Sequence, residues 1–144
     1  MSDQRRHFTP EQQEYLARFR RQVEVGEQAQ GLEIIAGCHN KFQFAKTYRT
    51  LRNDFTRTNQ EMRGRVTRGD AGPGITRDVV EEMIRIGTKS WEIKMAALQR
   101  HFFLTWGEPI ENYAGTGDGS GCAGVVVFAL ALIAAVGVVA VNGY

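Results

Sequence analysis

Residues 121–141 read "GCAGVVVFALALIAAVGVVAV", 21 positions without a charge or a strongly polar side chain. At about 1.5 Å of rise per residue, a helix of that length covers roughly 31 Å, close to the roughly 30 Å hydrocarbon thickness of a bilayer. A helix that is apolar on every side needs lipid or a large core around it. The rest of this 144-residue chain is too small to build such a core. The run therefore predicts one transmembrane helix over 121–141 rather than a buried helix of a soluble fold.

Mean hydropathy is −0.33 in spite of that run, so the preceding residues are very polar. The formal charge of +2 hides an asymmetry: all 18 Lys and Arg lie at or before Arg100, and only Glu108, Glu111 and Asp118 are charged beyond it. The chain divides into a basic body over 1–110, an acidic Gly-rich joint over 111–120, the apolar run, and a short tail over 142–144. Arg outnumbers Lys 14 to 4, which favours bidentate contact with carboxylates or phosphates. "MSDQRRHFTPEQQEY" lacks the apolar stretch of a secretory signal. The expected topology is thus a tail anchor inserted after translation, with the body cytosolic and the C-terminus on the opposite side of the membrane. Tyr144 can anchor the far interface, whereas the near boundary carries no Trp, Tyr or basic residue. Ala131 and Ala135 form a small-xxx-small step suited to close helix contact in lipid.

The body reads as three helices. Thr9, Pro10 and Gln12 give an N-cap, a first-turn proline and a capping box, and Leu16, Phe19 and Val23 recur on one face. Gly26 and Gly31 weaken the continuation, which Leu32, Ile34 and Ile35 carry to about Ala36, with Gly37 suited to the C-terminal cap. Asn40 then caps a second helix from Lys41 to about Met62, where Phe44, Tyr48, Leu51 and Phe55 form the stripe. "GRVTRGDAGPG" over 64–74 predicts a loop. Thr76 caps a third helix whose apolar positions run from Val79 to Phe102, ending near Thr105 before Gly107 and Pro109, with Gly87 a candidate kink. No segment alternates with period two. The expected fold is all-α, a three-helix antiparallel body arranged up-down-up plus the C-terminal transmembrane helix.

Few motifs point to chemistry. His7, His39 and His101 lack acidic or Cys neighbours at metal-ligand spacing. Cys38 and Cys122 are far apart in segments of opposite character, neither a disulfide framework nor a metal cluster, and both are expected to be reduced. "GTGDGSG" lacks the Lys of a phosphate loop and reads as a spacer. "RGD" at Arg68–Asp70 falls in a loop, but a cytosolic body would meet no extracellular receptor. No catalytic residue, cofactor or metal is expected. Between Lys41 and Arg68 there are eight basic and two acidic residues. Of these, Lys46, Arg49, Arg52 and Arg57 are the candidate contacts for acidic partner proteins or anionic headgroups. No groove-reading motif accompanies them, so nucleic acid is not an expected partner.

These observations predict a non-enzymatic, single-pass, tail-anchored membrane protein whose basic helical body mediates assembly or recruitment at a membrane surface. Its expected partners are the bilayer, other membrane proteins and further copies of itself. In layout the chain is also similar to ribosomal natural-product precursors, with a helical leader, a small-residue joint and an apolar C-terminal core. That resemblance implies cleavage near "GDGSG" and release of a membrane-active peptide.

Overall fold

The computed structural model describes residues 8–113; the transmembrane helix expected over 121–141, Ala131 and Ala135 within it, and residues 114–120 of the joint lie outside them. Three α-helices and a short 3-10 helix make up the described body. Helix α1 spans Pro10–Gly37, α2 Lys41–Arg68 and α3 Arg77–Trp106, and the 3-10 helix is Ile110–Tyr113.

The helix starts follow from their caps. Thr9 Oγ1 accepts from Gln12 N at 3.1 Å while the Gln12 side chain accepts from Thr9 N at 2.9 Å, a complete capping box. Asn40 Oδ1 accepts from Phe42 N and Gln43 N at 2.9 and 3.1 Å, and Thr76 Oγ1 accepts from Val79 N at 3.3 Å. Each of these oxygens satisfies a backbone donor that the first helical turn leaves open. Thr9→Ala is expected to lower stability by about 1 kcal/mol, read as a shift of the urea midpoint at unchanged slope. No shift would mean that α1 is held at this end by packing alone.

The ends differ more from expectation. Gly37 is the last helical residue rather than a left-handed cap, and Cys38 closes α1 in an extended conformation with its N–H on Ile34 O. Helix α2 passes straight through Gly64 and stops only at Gly69, whose φ of 78° brings its N–H onto Arg65 O and Val66 O. A mid-helix glycine costs about 1 kcal/mol against alanine. Packing of Met62 against the core and a two-bond contact from Arg63 to Glu81 of α3, at 2.9 and 3.0 Å, offset that cost. "RGD" is consequently a helix terminus and its cap, not a displayed loop. Gly87 does not interrupt α3.

Helix α3 is the centre of the body and packs on both neighbours. The N-terminal half of α1 meets the N-terminal half of α3 in one core of Tyr15, Leu16, Phe19, Val23, Val79, Met83 and Ile86. The other end joins Ile34 and Cys38 with Phe44, Ala45 and Leu51 of α2, and with Met95, Leu98 and Phe102 of α3. Helices α1 and α3 are therefore parallel and α2 runs against them, the up-down-up order expected. Trp91 stacks on Phe55 at 4.3 Å between ring centres, fixing the middle of the α2–α3 seam. The body extends to Tyr113. Ile110 is buried and Tyr113 packs edge-on to Phe42 at 5.3 Å, so residues 111–113, expected in the joint, belong to the folded end of the bundle.

Candidate functional site

Two polar features interrupt the apolar seams. The first lies between the two cores. Lys94 of α3 is 5% exposed; its Nζ donates to Gln30 Oε1 at 2.5 Å and pairs with the Glu27 carboxylate, both on α1. Burial pushes the Lys94 pKa below its ordinary 10.5, against the upward pull of Glu27. Gly31 leaves room for the lysine stem: a Cβ there would sit 3.3 Å from Lys94 Cγ, close enough that the stem would have to shift by a few tenths of an ångström. The glycine expected to weaken α1 is the place where the lysine stem crosses it.

The second feature closes the far end of the bundle. Lys41, in the first turn of α2, donates to Glu108 Oε2 at 3.2 Å, and Tyr113 Oη donates to the same oxygen at 2.5 Å. The Tyr113 hydroxyl, and then the Lys41 ammonium, hold the Glu108 carboxyl below the usual range. The Lys41 ammonium also lies 5.2 Å from the centre of the Tyr113 ring. Gln99 bridges Tyr48 Oη at 2.6 Å and Glu111 Oε1 at 3.2 Å. These contacts fasten the 3-10 helix to α2 and α3.

The four basic candidates on α2 do not form one free cluster. Arg57 is paired with Asp54 at 2.6 Å, Arg49 is half-buried and not free, and Lys46 is half-buried. Arg52 is exposed on the flank beside Tyr48. Exposed apolar side chains were not anticipated as a surface: Val25 and Leu32 on α1, and Ile93, Phe103 and Leu104 on α3, are each more than half exposed. Leu32, in the continuation of the α1 pattern, lies one residue after the buried Gly31 and two before the buried Ile34, which turns it to the exposed face.

Among the described residues no three His, Cys, Asp or Glu side chains stand close enough to hold a metal ion, and no helix is long and apolar enough to cross a membrane. Cys38, expected to be reduced, is 2% exposed and disulfide-bonded. No family model, curated protein or solved structure matches the chain.

Proposed function

We propose that this is a non-enzymatic single-pass membrane protein, anchored by residues 121–141, whose helical body gathers partner proteins at the membrane surface. One observation carries the reading: residues 121–141 are uncharged over 21 positions, about the thickness of a bilayer's hydrocarbon. A helix apolar on every side is suited to lipid, and the described body presents buried cores around Phe44, Val79, Leu98 and Phe102 that can stand beside such an anchor. The exposed apolar residues of α1 and α3 supply contact area for a protein partner. Lys46 and Arg52 supply positive charge towards acidic partners or headgroups.

Alkaline extraction of membranes holding the full chain tests the anchor. The protein is expected to stay in the pellet, and Ala131→Asp to release most of it, since a charge at mid-span costs about 2.5–3.5 kcal/mol on insertion. Equal recovery of the two proteins would sink the anchor. A C-terminal fragment cut near Ser120 in the intact mass would favour the precursor reading instead.

A further inference from the structure

We infer that two copies of this chain pair antiparallel through the outer face of α3, crossing at Ala96 so that Glu92 of each copy meets Arg100 of the other. Lys89, Ile93, Ala96, Arg100 and Phe103 recur at steps of four and three residues, the spacing of a two-helix seam, and all five are exposed. By helical period they lie on the opposite side of α3 from Met83, Leu98 and Phe102, which fill the two cores. Ile93 is 66% and Phe103 54% exposed, so the stripe is apolar surface that no described residue covers. Contiguous surface of that kind marks an interaction site.

The charges on this face select a second copy as its occupant. Glu92 precedes Ala96 by four residues and Arg100 follows it by four, about 6 Å along the helix axis in each direction. Both are exposed, and neither has an ion-pair partner among the described residues. Turning a second α3 end for end about Ala96 sets Glu92 of each copy level with Arg100 of the other. It also sets each Lys89 ammonium level with the Phe103 ring of the other copy, a cation–π pair. Every contact occurs twice, because a two-fold interface is self-complementary. A parallel pair would set like charges level instead. Anionic lipid is a poorer fit, since headgroups that attract Lys89 and Arg100 repel the Glu92 beside them. At the crossing Ala96 carries only a methyl group, so the helices can approach closely, and Ile93 packs along the apolar stem of Arg100.

The apolar side chains and the stems of the long cations supply the buried area, while the ion pairs set the register and exclude other partners. The pairing names one partner for the assembly role proposed above, and in that purpose it rests on that reading. The contact itself needs only the described body.

Sedimentation of the full chain in a density-matched detergent tests the pairing. The wild type is expected to sediment as a dimer of 16.1 kDa chains. Arg100→Glu and Glu92→Arg each set like charges level at both ends of the seam, and each is expected to weaken the dimer at least about tenfold. The double variant carrying both exchanges has opposite charges level again and is expected to recover the wild-type mass. Because it contains both substitutions, its recovery also shows that neither harms the fold. Phe103→Ala is expected to weaken the dimer while each copy keeps its fold. A monomeric wild type overturns the inference and leaves the face to lipid or to an unrelated protein. A dimer that ignores both single reversals overturns it too, by placing the contact on another surface, and so does a double variant that stays as weak as the single ones. Alkaline extraction of Arg100→Glu separates the two ideas: it remains in the pellet if the anchor is right, whatever its mass in detergent.

Discussion

Phe102→Ala is expected to lower the melting temperature of the body by about 15 °C or more, because removing a fully buried phenylalanine ring costs about 3–5 kcal/mol and each kcal/mol moves a domain of this size by about 4–8 °C. Phe102 is 0% exposed. Its ring centre lies 4.8 Å from that of Trp106, 5.8 Å from Phe44 and 5.7 Å from Tyr113. The cavity would open where α2, α3 and the 3-10 helix meet, and the surrounding rings are too rigid to collapse into it. A domain of this length is stable by only about 5–15 kcal/mol, so one ring is a large share. Phe103 next to it is 54% exposed, and Phe103→Ala is expected to change stability by less than about 0.5 kcal/mol. Thermal unfolding followed by far-UV circular dichroism reads both. Equal losses would mean that α3 is rotated by a residue from the orientation described.

The second large effect concerns Lys94 and Glu27. Glu27→Gln leaves the ammonium in place but removes its one charge partner among the described residues, and an uncompensated buried charge costs about 3–5 kcal/mol. Lys94→Met removes the charge together with the need for a partner, and is expected to be near neutral or stabilising. The order of the two variants is the test: a lysine that is more harmful to lose than its partner is not a buried, desolvated cation. The pH dependence follows from the same burial. With the folded pKa below the unfolded 10.5, the unfolded chain binds more protons between those two values, so this group makes stability rise with pH across that window. Its cost is fully present below the folded pKa and relieved above 10.5. Lys41 and Tyr48 have raised pKa values and act in the opposite sense, from about 10 upward. The difference between wild type and Lys94→Met, measured by urea unfolding at neutral pH and at pH 10.5, isolates Lys94. A difference that does not shrink at the higher pH would show that Lys94 is not desolvated.

Much of the bundle was legible because its signals are local. Thr9, Asn40 and Thr76 cap the helices they were expected to cap, since an oxygen two or three residues before an open backbone donor needs no distant help. The Leu16, Phe19 and Val23 stripe of α1 and the stripe of α3 pack as their spacing implies, with Trp91 half-buried, whereas Leu32 in the α1 continuation is exposed. The end of α2 was misplaced because Gly64 and the glycines after it resemble a loop in isolation. Glu81, eighteen residues beyond Arg63, Arg77 on Thr67 Oγ1 and the seat for Met62 carry the helix that far. The basic stripe of α2 is a related case: Asp54 pairs with Arg57, and Arg49 and Lys46 are half-buried, so charge counted along the chain overstates the charge left on the surface.

By itself the sequence determined where helices begin, which faces are apolar, and that residues 121–141 are uncharged over a bilayer's thickness. These depend on chain neighbours and on helical period. Only the tertiary structure decided that Lys94 is desolvated against Gln30 and Glu27, that Phe102 is buried while Phe103 is not, and that Cys38 is oxidised inside a core. Each of those depends on what lies across a helix interface, and the energy of a side chain is set there by its burial and its partner rather than by its place in the chain.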